Sequence, residues 1–310
     1  MDAIRNRLVL VTRRSRLEEL VARFNTIEQA RFYVEHLGAD FGDYEAEHRT
    51  CQAVIRQAEE VLGRFGRVQR LDRSFLSNFI FPPGSPVIVI GQDGLVANTL
   101  KYLDGQPVIG VNPDPQRWDG VLLPFQVADL EKIVPEVQAN RRADKGITMA
   151  QVSLADGQTL YAVNDFFVGA RSHVSARYEI RWQRQAERHS SSGVIVSTGL
   201  GSSGWFRSIL TGAAGIAGDS QDPVRELQEQ GFAWDADYLY FSVREPFPSK
   251  WTQVGMVFGQ VSEAQPLELV SGMAENGVIF SDGIESDFLE FNAGTKARFG
   301  PASRQGRLVC

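Results

Sequence analysis

Residues 87–94 read Val-Ile-Val-Ile-Gly-Gln-Asp-Gly, and this stretch decides the fold. Four β-branched apolar residues in a row describe a strand buried on both faces, which belongs in a parallel sheet covered by helices. The strand runs directly into Gly91-Gln92-Asp93-Gly94, where the backbone turns tightly and a ligand can come close. An acid between two glycines at the carboxyl end of such a strand stands where open α/β sheets bind ligands. The plain alternative is an ordinary strand-to-helix turn with an Asp as helix N-cap.

On both sides of this stretch, strands and helices alternate. Arg7–Thr12 predicts a first strand. The spacing of Phe24, Ile27, Val34 and Leu37 predicts one helix, and that of Val54, Ile55, Ala58, Val61 and Leu62 a second. Val108–Val111 reads as another buried strand, Val121–Phe125 as a short one, and Val127–Asn140 as a helix. From Ile147 onward strand-like runs dominate, among them Thr148–Leu154, Leu160–Val168, Tyr178–Trp182, Val194–Ser197, Tyr238–Val243, Val254–Val261 and Phe288–Phe291. One helix, about Ser202–Ala214, interrupts them, and Gly212–Asp222 reads as a mobile loop. The expected organisation is an α/β domain with a parallel sheet over residues 1–143, a β-rich domain over 144–290 and a C-terminal segment, 291–310, that returns to the first domain.

The 310 residues suffice for two domains, and 43% hydrophobic with 23% charged residues is ordinary globular composition. A net charge of −6 offers no general attraction to nucleic acid or to an acidic membrane, so neither is expected as a partner. Two cysteines without a CxxC pattern and four scattered histidines give no metal-ligand spacing, and no metal site is expected. No apolar run approaches ~18 residues and no signal-peptide core is present, so the expected location is cytoplasmic.

The sequence has no GxxxxGK[ST] and no HExxH, and the serines near 203 do not form G-x-S-x-G. Gly199-Leu200-Gly201-Ser202-Ser203-Gly204 does match G-x-G-x-x-G after a strand and before a helix. As a Rossmann fingerprint it would need a second parallel strand ending in an acid about 20 residues on. Asp219 has the spacing, but Gly212–Gly218 before it is not strand-like, so a glycine-rich helix entry that meets a nucleotide differently fits better. Asn164-Asp165 interrupts the apolar run Leu160–Val168. A polar pair there must be hydrogen-bonded, sit at a bulge or face a site.

Taken in order, these segments resemble the NAD kinase family. That family has a GGDG turn after a buried strand, then P-V-I-G-I/V-N, an N-E/D pair, T-x-x-G-S-x-A-Y/W on a helix, and a late D-G. This chain has Gly91–Gly94, Pro107–Asn112, Asn164-Asp165, Thr198–Trp205 and Asp282-Gly283. Asn112-Pro113-Asp114-Pro115, Ser191-Ser192-Gly193, Phe241–Pro246 and Phe24–Ile27 are similar to the mitochondrial-type branch. The resemblance covers about residues 20–295. It implies transfer of a phosphoryl group from ATP, with Mg²⁺, to the 2′-hydroxyl of the adenosine ribose of NAD, in a homodimer. It also implies Asp93 as the catalytic base or hydroxyl-orienting residue, with the Gly91 and Gly94 backbone approaching phosphate and Gln92 and Asn112 in the nucleotide site. Asn164 and Asp165 would hold the ribose or adenine side. Thr198, Gly201, Ser202, Ser203, Gly204 and Trp205 would shape the adenosine pocket. Arg171, Arg177, Arg207 and Arg244 are candidates for phosphate charge.

Two residues depart from the family pattern at the phosphate turn. Gln92 replaces the second glycine, and Leu95 the usual Thr or Asn. A positive φ at position 92 would strain a glutamine. Leu200 likewise replaces a hydroxyl residue in the Thr-Gly segment. Two alternatives stay open: a nucleotide-binding or regulatory protein of this fold with impaired catalysis, and a kinase for another diol.

Overall fold

The computed structural model describes residues 7–218 and 223–310. It divides into two compact units, one of residues 1–145 with 306–310 and one of residues 146–305.

In unit 1, strands β1 (Arg7–Thr12), β2 (Arg67–Asp72), β3 (Val87–Ile90) and β4 (Pro107–Val111) form a parallel sheet in the order β2-β1-β3-β4. Arg307 and Leu308 at the chain end add to its β4 edge, also parallel. All four residues of β3 are buried, as a strand covered on both faces requires. Leu8, Leu10, Ile88, Ile90, Ile109 and Val111 pack against helix α3 (Phe41–Leu62) and helix α5 (Leu130–Gln138) through Ile55, Ala58, Leu62, Leu130, Ile133 and Val134. Each such side chain contributes roughly 1.5–3 kcal/mol by leaving water.

Three elements differ from the sequence expectation. The first helical pattern is two helices, α1 (Arg16–Phe24) and α2 (Ile27–His36), because Asn25 takes a left-handed φ of 68° and Thr26 caps the next helix. β2 is an added strand, with only Leu71 buried, so its polar sequence carries no strand signal. Val121–Phe125 is a turn with a single bridge to Val111, not a strand. It lies flat on β4, where a Cβ at Gly110 would overlap the Leu122 carbonyl.

Unit 2 is β-rich. An antiparallel six-stranded sheet runs β12-β11-β10-β7-β14-β15, with β7 Asp165–Ala170, β10 Val194–Ser197, β11 Tyr238–Val243, β12 Phe258–Ser262, β14 Gly277–Ser281 and β15 Ile284–Glu290. A second group of strands comprises β8 (Ala176–Trp182), β9 (Gln185–Ser191), β13 (Leu267–Ser271) and the first residues of β16 (Lys296–Val309), with β5 (Asp144–Leu154) and β6 (Thr159–Ala162) off its path. One core joins the two layers, through Phe166, Val168, Ile180, Leu239, Phe241, Leu269 and Phe299. Helix α6 (Trp205–Ala217) absorbs the first half of the expected mobile loop, since Gly212–Ala217 are helical; residues 219–222 lie outside the described residues.

The expected single strand Leu160–Val168 is two strands, β6 and β7, broken at Val163-Asn164. The expected strand from Val254 begins only at Phe258. After α6 comes helix α7 (Pro223–Gln230), and the next strand, β11, is antiparallel to β10. Among the described residues no parallel strand therefore follows α6 as a Rossmann unit requires, and Asp219 itself lies outside the described residues.

Candidate functional site

In unit 1 the chain leaves β3 at Ile90, turns through Gly91 and Gln92, and enters helix α4 (Asp93–Leu100) at the carboxyl edge of the parallel sheet. Gln92 has φ −121° and ψ 163°. That is ordinary extended backbone, so the strain that a positive φ would bring at position 92 does not arise. Glycine is not needed there for its conformation. The Gln92 side chain turns toward β1 instead, and its Oε1 accepts a hydrogen bond of 2.8 Å from Nη1 of Arg13.

Gly91 is limited by packing: an added Cβ would sit 2.9 Å from the Cδ2 of Leu95. Leu95 is buried, and its hydrophobic body fills the inner side of the turn. At Gly94 an added Cβ meets nothing within 4 Å, so that face of the turn is open to an approaching group. Arg13, Cys51, Gly91, Gln92 and Trp118 border a cavity of about 20 Å³, which has room for one water. Burial pushes the Cys51 thiol up to about 11, so it is not a reactive thiolate.

Asp93 points back toward the 121–122 turn. Its Oδ1 accepts from the Leu122 N–H at 2.8 Å and its Oδ2 from the Val121 N–H at 3.3 Å. Two backbone donors therefore fix the carboxylate, and each oxygen keeps a second lone pair for a ligand. Asn112 is a structural neighbour: its Oδ1 accepts from the Asp114 N–H at 3.0 Å and its Nδ2 donates to the Trp118 carbonyl at 2.9 Å. The same segment is clamped by Arg117, which forks onto Asp43 at 2.6 and 3.1 Å. Hydrogen bonds from Arg117 and Arg16 hold the Asp43 carboxyl far below the usual range.

In unit 2 the sequence-selected residues gather where β6 gives way to β7. Asp282 explains the strand break. Its carboxylate accepts from the N–H groups of Val163 (3.0 Å), Asn164 (2.6 Å) and Asp165 (3.4 Å), so these donors are bound by a side chain rather than a neighbouring strand. The Asp282 N–H donates in turn to the Asp165 carbonyl at 2.9 Å. Thr198 closes the other side: its Oγ1 donates to the carbonyls of Val163 (2.5 Å) and Asn164 (3.1 Å) and accepts from the Gly201 N–H at 3.1 Å.

The glycines of Gly199–Gly204 serve this packing. A Cβ at Gly201 would overlap the Asn164 carbonyl, and one at Gly199 the Ala233 carbonyl. Ser202 is buried; its Oγ donates to the Gly199 carbonyl at 2.6 Å and accepts from the Phe232 N–H at 3.3 Å. Ser203 Oγ donates to the Leu200 carbonyl at 3.3 Å. Leu200, which departs from the family pattern, is buried as well.

Asp165 is 7% exposed, and its carboxylate has no hydrogen-bond partner among the described residues. Burial, with the negative charge of Asp282 nearby, pushes this carboxyl up to about 7. Asp165 and Phe167 lie two apart on β7 and so share one face. On that face the Phe167 ring is stacked between Trp205, at 5.7 Å and 14°, and Phe280, at 6.1 Å and 18°. Gly169 and Gly193 make room for it, since a Cβ at either would come within 2.7 Å of the Phe167 ring. Trp205 is 39% exposed, with the Arg244 guanidinium 5.1 Å from its ring centre.

The arrangement offers a buried hydroxyl acceptor, a flat aromatic surface and a cation on one face. Of the four arginines chosen from sequence, only Arg244 touches this cluster through Trp205. Arg171 covers Phe288 at 4.1 Å, Arg207 is exposed on α6, and Arg177 lines a different cavity. Sequence reasoning missed Phe167 and Arg13 and gave Asp282 no role. The late Asp-Gly pair was the available signal for Asp282. Arg13 and Phe167 stand in ordinary strand contexts and give none.

The sequence matches no protein-family model and no curated protein. The fold does have solved counterparts, and it is that of the NAD kinases. The chain is similar to an NAD kinase from Archaeoglobus fulgidus solved with ATP, with a TM-score of 0.59 and 16% identity over 98% of this chain and 93% of that one. It is also similar to yeast NADH kinase solved with NADH, with a TM-score of 0.55 and 14% identity over 98% of this chain and 83% of that one. Among the described residues no helix is long and apolar enough to cross a membrane.

Proposed function

We propose that this protein is an NAD kinase-like phosphotransferase that moves a phosphoryl group from ATP to the 2′-hydroxyl of the adenosine ribose of NAD. The observation that carries this reading is the Asp165 face of unit 2. A nine-tenths buried carboxylate without a partner sits on the same strand face as the Phe167–Trp205 stack. A ribose hydroxyl would supply the missing hydrogen bond, and an adenine or nicotinamide ring would extend the stack.

In this reading Asp93 is the group that accepts the proton from the attacking hydroxyl, and its two backbone donors set its direction. The open face at Gly94 and the Arg13 guanidinium held by Gln92 serve the donor phosphates. Among the described residues no three His, Cys, Asp or Glu side chains group to hold a metal. A Mg²⁺ would therefore come bound to the triphosphate, as this ion commonly does, and neutralise its charge. A homodimer in the cytoplasm completes the proposal.

The second reading is a nucleotide-binding protein of this fold that does not transfer phosphate. The buried Leu95 at the inner side of the phosphate turn favours it. Purified protein with NAD, ATP and Mg²⁺, assayed for NADP, separates the two. Formation of NADP supports the kinase. Calorimetric binding of NAD with no NADP formed would replace it with the binding protein.

A further inference from the structure

A cavity in unit 2 uses none of the residues clustered around Asp165, and it holds Arg177, which the sequence marked for phosphate charge but which that cluster does not include. Strands β8 and β9 pair with Arg177 opposite Ser190 and Glu179 opposite Arg188. Arg177 and Arg188 are therefore diagonal neighbours on one face, a spacing at which two long side chains can reach one anion. Glu179 lies directly across from Arg188, but its carboxylate is bonded to Arg181 Nε at 2.6 Å. Among the described residues neither Arg177 nor Arg188 has a side-chain hydrogen bond or ion pair. On a chain of net charge −6, two unpaired guanidiniums side by side are a local exception.

Beside β9 runs the segment 247–253. The Phe247 N–H donates to the Ser190 carbonyl and the Gln253 N–H to the Arg188 carbonyl, each at 2.9 Å. The loop is braced from within. The Trp251 N–H donates to Ser249 Oγ at 3.1 Å, Thr252 Oγ1 to the Phe247 carbonyl at 2.7 Å, and the Ser249 N–H to the Thr252 carbonyl at 3.2 Å. So braced, it presents Phe247 and Trp251 with 65% and 78% of their surface exposed. The arginines, Glu179 with its carboxylate turned to Arg181, the loop and Val270 line an open cavity of about 580 Å³, a size suited to a small ligand.

A pair of guanidinium forks matches a phosphate, and a rigid, exposed indole matches a flat ring. We propose that this cavity is a second nucleotide site, which takes a mononucleotide with its phosphate between Arg177 and Arg188 and its base on Trp251. The loop is already ordered by its own hydrogen bonds, so little ordering remains to oppose binding.

The test uses the full chain and AMP as probe, followed by tryptophan fluorescence. AMP should give a quench that Trp251→Phe changes and that Asp165→Asn leaves in place, since Asp165 belongs to the other cluster. Arg177→Ala and Arg188→Ala should each weaken this response at least ~10-fold, the scale of a lost charge-assisted hydrogen bond. Trp251→Ala should weaken it by ~5-fold or more, the scale of lost base stacking. All three positions are at the surface; should one variant melt early, Arg177→Lys with Arg188→Lys tests the fork geometry in its place and should also weaken AMP. Three results would overturn the proposal. One is AMP binding that none of these variants alters. Another is inorganic phosphate binding as tightly as AMP with no effect of Trp251→Ala, which makes this an anion site only. The third is unchanged AMP binding while sedimentation of the variants shows a dimer becoming a monomer, which makes the face an interface between copies.

Discussion

Gln92 Oε1 and Arg13 Nη1 are joined by a 2.8 Å hydrogen bond between the turn after β3 and the residue that follows β1. The two strands are adjacent and parallel, so the bond ties together the carboxyl ends of neighbouring strands. A glycine at position 92 could not make it. Gln92 thus supplies a contact that the GGDG pattern lacks, and it does so on unstrained backbone.

The first prediction concerns this pair. Gln92→Gly frees the Arg13 guanidinium and should raise the KM for ATP several-fold, and Arg13→Ala should do the same. The double variant should be little worse than either single one, because both remove one interaction. Initial-rate kinetics with ATP varied at saturating NAD give the answer. A gain in turnover in Gln92→Gly would show instead that glutamine obstructs the phosphate turn.

Asp93→Asn should lower turnover by ~10²-fold or more, the usual scale for a positioned base, with NAD affinity nearly unchanged. It should also cost stability. The amide keeps one oxygen to accept the Leu122 N–H, but its nitrogen then faces the Val121 N–H and cannot accept it. The lost hydrogen bond costs ~0.5–1.5 kcal/mol, which a urea midpoint will register. Full activity in this variant would remove Asp93 from the chemistry and leave it as the clasp of the 121–122 turn.

The fold was legible where burial is complete. Val87–Ile90 and Val108–Val111 are continuous apolar runs because helices cover both sheet faces, and they pair in parallel as read. Two of the strands that escaped, β2 and β9, are mostly exposed, with Arg67, Arg70, Gln185 and Arg188 in strand positions. Hydrogen bonding to neighbours places them, and hydrophobic period does not report it. The site residues were legible as types but not as roles. Gly199 and Gly201 look like a pyrophosphate fingerprint, yet both are small because carbonyls of other segments press on them. Whether Gln92 is strained could not be read, because the sequence pattern marks a glycine without saying which physical demand it meets. Here the turn demands no positive φ at that position.

Gly201→Ala tests that distinction. A methyl group there overlaps the Asn164 carbonyl, itself fixed by Thr198. The clash is with backbone and cannot relax by a rotamer change. The variant should lose stability by ~1–3 kcal/mol and should weaken NAD binding through displacement of Asn164-Asp165. Gly94→Ala, which meets open space, should leave the fold intact. Thermal melts of the two variants side by side suffice. Equal stability would mean that the tight approach at Gly201 is not part of the native packing.

The last prediction follows from Asp165. Its carboxyl is raised to about 7 by burial and by Asp282, while in the unfolded chain it returns to the ordinary carboxylate range near 4. Between those values the folded state holds a proton that the unfolded state has released. Stability from this group is therefore complete below pH ~4 and declines as pH rises to about 7, where ionising a buried acid becomes the cost of staying folded. Asp165→Asn keeps the shape and cannot ionise. It should match the wild type near pH 4 and exceed it at pH 8 by on the order of 2–4 kcal/mol. The same group should make ligand binding depend on pH in the opposite sense. A ribose hydroxyl donates to the ionised carboxylate, so NAD affinity should rise through pH 7 in the wild type and stay flat in Asp165→Asn. Urea unfolding and NAD calorimetry at pH 5, 6, 7 and 8 measure both slopes. A wild-type stability that rises from pH 5 to 8 relative to the variant would mean that Asp165 is ionised and paired in the folded protein. The unpartnered carboxylate that carries the proposed ribose contact would then be lost.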